Sequence, residues 1–243
     1  MFRRLRKATI LLRDYVLARG LIVHNIPAAV EHLEIIAYVR PKHLIDVGAN
    51  KGQFALATIS VVPDVKIDCF EPLAAAATTL ENWAKTASPN IRVHRVALTA
   101  NQGNAEFYVT SREDSSSLLH PAKAQKEKGI AVKETVIVPT NRLENVLSTD
   151  ELLRPSLLKI DVQGAELDVL TGMGKLTEVI DYIYLEISFI ELYERQPLFA
   201  EIDQFLKSAG YELRGITNAY VDRVQGPGQA DALYCRRNTN MAT

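Results

Sequence analysis

An α/β fold, a mostly parallel sheet with helices on both faces, is predicted by three features of this sequence. From position 42 onward short apolar runs alternate with helical stretches, four of those runs finish on an acidic residue, and the final two strand-like runs have no helix between them. The order KHLIDV, FALATISVV, VKIDCF, AAAATTLENWAK, IRVHRVAL is the signature of βαβ units. A second set repeats it with LLKIDV, AELDVLTGM, VIDYIYLEI and a helix from about Leu198 to Ala209. Between the sets, Asn104–Val109 and Lys133–Val138 read as short strands flanking the polar stretch SREDSSSLLHPAKAQKEKG, a lid-like loop near 110–130. Tyr211–Ile216 and Ala232–Arg236, joined by a Gly/Pro loop at Gln225–Gln229, are expected to be antiparallel neighbours.

The 243 residues suit one α/β domain, expected over 41–243, behind a helical extension over 1–40. The first twenty residues hold Arg3, Arg4, Arg6, Lys7, Arg13 and Arg19 against Asp14; with −1 overall, the rest of the chain carries −6. Phe2, Leu5, Thr9, Leu12, Tyr15 and Val16 recur at helical spacing, giving a basic amphipathic helix. Such a helix either packs on its own domain with solvated arginines or meets an anionic membrane surface or acidic partner. A second helix is expected over Ala28–Val39, opened by Pro27 and stopped at Arg40-Pro41.

Composition narrows the function. Balanced charge, 28 Lys+Arg against 29 Asp+Glu, argues against a general nucleic-acid binder. No run reaches the roughly 20 apolar residues of a membrane span, and Ala8–Leu12 is shorter than the ~7–15 residues of a signal-peptide core. Cys69 and Cys235 form no C-x-x-C pair and read as reduced thiols. A cytoplasmic enzyme is the expectation.

The acids expected at the strand ends are Asp46, Glu71, Asp161 and Glu186; Asp46 to Glu71 and Asp161 to Glu186 are each 25 positions. Ligands of doubly wound sheets sit outside the carboxyl ends of the strands, although a single acid there can simply cap a helix. Asp46-Val-Gly-Ala-Asn-Lys-Gly52 is a strand, a glycine-punctuated turn and a helix start; Gly48 and Gly52 permit close backbone approach to a ligand. It lacks the third glycine of G-x-G-x-x-G, and Asn50 stands where many dinucleotide folds have glycine. Asp46 would repel a pyrophosphate and attract a sulfonium, and Glu71 is placed to accept ribose hydroxyls. These features favour S-adenosylmethionine over NAD. A nicotinamide-dependent oxidoreductase and a non-catalytic nucleoside-binding module are the alternatives.

LIDVGANKGQFAL, CFEP, RVALTANQGNAEFYV followed by SSSLL, LLKIDVQGAELDVLTGM and YLEIS, in that order over residues 42–216, resemble the FkbM-type S-adenosylmethionine-dependent methyltransferases. The resemblance implies a Rossmann-like class I methyltransferase fold: seven strands, an antiparallel strand near the carboxyl end, and O-methyl transfer to a hydroxyl of a sugar, glycan or specialised metabolite. Carried over by position, Asp46, Gly48, Asn50 and Gly52 cradle the cofactor's methionine end, Glu71 holds its ribose and Ala97 lies near the adenine. Gln163 departs from the family, which often has Glu in the D-x-E-G segment.

Methyl transfer to a hydroxyl requires in-line positioning and removal of a proton. Asp161 is the expected base or orienting group, with Glu166 in support and Glu186 as a further candidate. The same three carboxylates meet the permissive requirement for Mg²⁺; the reading without a metal is preferred. Ser115, Ser116, Ser117 and His120 in the lid are candidate acceptor contacts, against an ordinary loop role. Trp83 reads as core, and Lys159 as a strand-end lysine with its head in solvent.

Overall fold

The computed structural model describes residues 14–222 and 226–237. Most of the basic opening segment, including Phe2, Leu5, Thr9 and Leu12, and the terminal NTNMAT lie outside the described residues. The chain divides into two compact units, one running to Arg95 and including Leu153–Leu157, the other comprising Val96–Leu152 and Leu158 onward.

In the first unit, helix Tyr15–His24 starts at Asp14, whose Oδ1 accepts from the Val16 and Leu17 amides at 2.8 and 3.1 Å, and stops at Asn25 in the left-handed region. It packs through Leu17 and Gly20; a side chain on Gly20 would run into Leu56. Tyr15 and Val16, counted on the apolar face from the sequence, are instead exposed. The second helix begins with a 3-10 turn at Val30–His32 and runs through Leu33–Val39. It starts two residues late: Ala29, at ψ 65°, stands before the first turn with a non-helical backbone, and its amide donates to the Gln53 carbonyl at 3.1 Å. Then come β1 (His43–Val47), helix Gln53–Val61, β2 (Lys66–Phe70), helix Ala74–Ala87 and β3 (Ile91–His94). β1 is buried at all five positions, as a central strand covered on both faces must be.

The second unit holds β4 (Ala97–Leu98), β5 (Gly103–Thr110), β6 (Val132–Asn141), helix Glu166–Thr171, β8 (Tyr182–Ser188), helix Phe199–Ser208, β9 (Tyr211–Asp222) and β10 (Gly226–Arg236); β7 (Ser156–Ile160) contributes to both units. The main sheet has the order β3-β2-β1-β7-β8-β10-β9, and β4-β6-β5 form a separate three-stranded sheet. The first three strands pair in parallel, and β10 runs antiparallel to both β8 and β9. This is the Rossmann-like, mostly parallel sheet with a reversed strand near the carboxyl end that was expected.

Three local readings are corrected. IRVHRVAL is not one strand: Arg95 turns out to bind Glu81 at 2.7 Å, and Ala97–Leu98 join the small sheet opposite Thr140 and Asn141. The polar stretch after Thr110 contains helix Lys123–Glu127 and is pinned by the Tyr108↔Ser117 and Pro121↔Tyr193 bridges. The Gly/Pro run at Gly226–Gln229 belongs to β10, because its partners on β9 extend to Asp222.

Inside the first unit Asp68, fully buried on β2, ties three strands together. His43 Nε2 and His94 Nε2 lie 2.8 and 2.7 Å from its two oxygens, and Arg92 donates to both at 2.8 and 3.0 Å. Burial pushes the carboxyl up, but the bonds from His43, His94 and Arg92 outweigh it and hold Asp68 well below the usual carboxylate range. A depressed acid contributes stability above its unfolded pKa of about 3.9 and loses it as pH falls. Asp68→Asn should therefore cost about 3 kcal/mol at pH 7. Urea unfolding should also show that the variant loses less stability than wild type below about pH 4.

Candidate functional site

Each unit carries one cluster, and each is built on a strand end. In the first, the Gly48 and Ala49 amides both donate to the Phe70 carbonyl, at 3.1 and 3.0 Å, as β1 runs out beside β2. The chain then turns through left-handed conformations at Gly48 (φ 73°), Asn50 (φ 49°) and Gly52 (φ 95°). Glu71, 6% exposed, clasps this turn: Oε2 accepts from the Asn50 amide at 2.9 Å and Oε1 from the Leu73 amide at 2.8 Å. Asp46 is fully buried within β1. The space a Gly52 side chain would need is taken by Leu80 Cδ1, 2.7 Å from the Cβ position, and by Trp83, so Gly52 brings helix Ala74–Ala87 close beneath the turn. Trp83 is a core residue, as read from the sequence. The open left-handed turn with an acid at its base fits a hydroxylated, cationic nucleoside.

The second cluster gathers Asp161, just past β7, and Glu186, on β8. The side-chain amide of Gln163 donates to Asp161 Oδ1 at 2.8 Å and to Glu186 Oε2 at 3.0 Å. Gln229 donates to the same Glu186 oxygen at 2.7 Å. The Tyr193 hydroxyl lies 2.9 Å from both Gln163 Oε1 and the Ser115 carbonyl, its single proton serving one at a time, and accepts from Gln125 at 3.2 Å. Gln163 sits at φ 57° and Gly164 at φ 103°; a side chain on Gly164 would press on the Tyr193 ring at 3.1 Å.

Electrostatics separate the three acids. Glu166 is buried and its Oε1 accepts from the Gly164 and Val162 amides at 3.0 and 3.3 Å, so it braces the turn that carries Gln163. Burial, opposed by those amides and reinforced by Asp161, pushes its carboxyl up to about 7. Glu186 is raised well above the ordinary range by burial first, then by Asp161, Glu166 and Asp231, which faces it directly across the β8–β10 pair. Asp161 is the open member, its side chain 43% exposed and 3.9 Å from Lys159. Lys159 is buried within β7 at 8% exposure, not solvated as its strand-end position suggested. Among the described residues no group of three or more His, Cys, Asp or Glu side chains is arranged to hold a metal ion; the Gln163 amide takes the place between Asp161 and Glu186.

The serines of the polar loop are buried and mostly bonded inward. Ser117 donates to the Gln163 carbonyl at 2.7 Å and accepts from the Leu119 amide, Ser116 accepts from the Thr110 amide at 3.1 Å, and Ser115 donates to Asp114 at 3.2 Å. His120 Nδ1 lies 3.5 Å from Glu194. Ala97 is buried in β4 opposite Thr140. Sequence reasoning missed Gln163 as a centre, along with Tyr193, Gln125 and Gln229; the only signal was an amide standing where a carboxylate was anticipated.

The sheet order and reversed β10 define a Rossmann-like class I methyltransferase fold. The chain belongs to the FkbM methyltransferase family, whose domain model matches residues 46–213. It is 31% identical over 170 residues to 2-O-methyltransferase NoeI of Sinorhizobium fredii, covering 66% of this chain and 69% of that protein. Methyltransferase 1 of Beauveria bassiana is 29% identical over 187 residues, 69% and 71% of the two chains. Hexuronic acid methyltransferase AglP of Haloferax volcanii is 24% identical over 144 residues, 59% and 55% of the two. The nicotinamide-dependent oxidoreductase reading is thereby set aside. No helix among the described residues is long and apolar enough to cross a membrane.

A raised acid stabilises the fold below its unfolded pKa and loses that contribution as pH rises through its folded value, so wild type should weaken between about pH 4.5 and 7 more than Glu166→Gln does. A carbon-detected NMR titration should place the Glu166 midpoint near 7. Gln163→Glu replaces the bridging donor with a third negative charge and should destabilise by about 1–3 kcal/mol at pH 8, the loss shrinking at pH 5 as carboxyls protonate.

Proposed function

We propose that this methyltransferase uses S-adenosylmethionine to methylate a hydroxyl of a sugar, glycan or specialised metabolite. The observation that carries the oxygen acceptor is the amide-bridged Asp161–Gln163–Glu186 group, which presents one carboxylate, Asp161, to solvent while its neighbours are braced. The names of two relatives, a 2-O-methyltransferase and a hexuronic acid methyltransferase, support the same acceptor class.

In this reading the turn from Gly48 to Gly52 holds the cofactor, Asp46 favours its positive end and Glu71 accepts from its ribose; a carboxylate offers about four acceptor sites, so its two backbone bonds do not preclude this. Ala97 is assigned to the adenine. S-adenosylmethionine, when bound, supplies the methyl group and leaves as the thioether S-adenosylhomocysteine. Asp161 takes the hydroxyl proton as the oxygen attacks. Glu166 and Glu186 act on Asp161 through Gln163 and the turn. Ser115–Ser117 shape the wall beside Gln163, and His120 at the end of that loop contacts the acceptor.

Calorimetry with S-adenosylmethionine, S-adenosylhomocysteine and NADH tests the first half: the sulfur nucleosides should bind, and Glu71→Ala should weaken them by about tenfold or more, a loss of about 1.4 kcal/mol. Preference for NADH would defeat the cofactor assignment. Radiolabelled methyl transfer to a panel of glycosides tests the second half. Asp161→Asn should lower kcat by about 10²-fold or more with cofactor affinity unchanged. Cofactor binding without turnover on any hydroxyl acceptor would favour a non-catalytic module.

A further inference from the structure

The amide of Gln163 gives both its protons to acids, and its oxygen has one partner among the described residues, the Tyr193 hydroxyl at 2.9 Å. That phenol does not move freely. Tyr193 is fully buried, its ring lies close against Gly164, its backbone amide donates to Gln196 Oε1 at 3.2 Å, and its hydroxyl oxygen accepts from Gln125 at 3.2 Å. Only the direction of its proton is open, toward Gln163 Oε1 or toward the Ser115 carbonyl, each 2.9 Å away. An amide whose N–H groups both bond to acids is polarised toward its oxygen, which makes Oε1 the stronger acceptor of the two. Burial, opposed by Gln125 and reinforced by Glu186, Asp161 and Glu166, pushes the phenol well above its usual range, so the donor keeps its proton.

Asp161 depends on this chain of bonds. Its side chain is 43% exposed, Oδ1 is held by the Gln163 amide at 2.8 Å, and Lys159 stands 3.9 Å from Oδ2, beyond hydrogen-bond reach. A half-exposed carboxylate tied at one oxygen takes its direction from the group that ties it, and a base must be held within about 0.5 Å of its productive position. With its oxygen released, the Gln163 amide would be held only through the acids it orients. We propose that Tyr193 is a positioning residue of methyl transfer: its hydroxyl fixes the Gln163 amide that orients Asp161, an inference that rests on Asp161 being the base.

The side-chain amide of Gln163 reports on this without turnover. Its heteronuclear NMR resonances in the full chain, assigned by their loss in Gln163→Leu, should show exchange with water about tenfold or more faster in Tyr193→Phe than in wild type. Unchanged exchange overturns the inference whatever the acceptor proves to be. In methyl transfer, Tyr193→Phe should lower kcat about tenfold or more while the acceptor KM and the calorimetric cofactor affinity stay within about twofold. In a Gln163→Leu background the same substitution should lower kcat less than about twofold, because the group it acts through is gone. A full kcat in Tyr193→Phe, or an equal loss in both backgrounds, overturns the inference; the equal loss is what a bracing role for the phenol would give. Full turnover by Asp161→Asn would instead defeat the reading of Asp161 as base and the inference with it, whereas a slow Asp161→Asn beside an unimpaired Tyr193→Phe defeats the inference alone. Should Tyr193→Phe fail to fold, the replacement Tyr193→3-fluorotyrosine keeps the shape and strengthens the donor: exchange of the Gln163 amide should slow by about twofold or more, and no change or a rise overturns the inference.

Discussion

A buried carboxyl held beside a solvent-facing carboxylate is repelled by it, and a fold that keeps the two together needs a donor between them. Here that donor is neutral. The Gln163 amide gives one proton to Asp161 and one to Glu186, while its oxygen faces Tyr193 and its backbone carbonyl receives Ser117. The polar loop and the segment around Tyr193 thus meet the acids through one residue. The amide itself carries no charge, so the bridge adds a donor to each acid without adding an ion. The left-handed turn at Gln163 and Gly164 is what aims this side chain, and Glu166 fastens that turn by accepting its amides. An acid at the start of a helix is usually read as a partner of the helix dipole; here its bonds to the preceding turn explain its position better.

The first unit solves a related problem differently. Glu71 stands just past the end of β2 but bonds to the turn leaving its neighbour, so a single carboxylate sets the distance between two loops. Asp68, one turn of the pleat away from the strand end, fastens β1, β2 and β3 through two imidazoles and a guanidinium. In both units, then, backbone geometry at a strand end is fixed by buried carboxyl groups whose partners come from adjacent strands or turns.

Much of this was legible in sequence because it depends on periodicity: the alternation of elements and the helix-free final pair follow from local pattern, while of the four acids Glu71 and Asp161 lie just past their strands and Asp46 and Glu186 lie within theirs. What stayed hidden depends on partners distant in sequence. Tyr193 lies 78 positions from Ser115 and Gln229 lies 43 from Glu186, and nothing local marks either pair. Lys159 looked solvated because charge usually is, yet its strand is covered on both faces. IRVHRVAL read as one strand because its hydrophobicity is continuous, whereas Arg95 leaves it for Glu81. Tyr15 and Val16 looked like core because apolar residues usually are, but Leu17 and Gly20 face the neighbouring helix.

The position of β10 bears on how the molecule is made. β10 follows β9 in the chain yet lies between it and β8, pairing with both. Throughout translation β9 must wait, since its seat in the sheet exists only once Gly226–Arg236 has emerged from the ribosome. Until then β8 presents an open, apolar edge, the kind of template on which nascent chains aggregate. The final hairpin therefore closes the sheet only when both of its strands are available, and a polypeptide stalled before that point would be a natural client for chaperones.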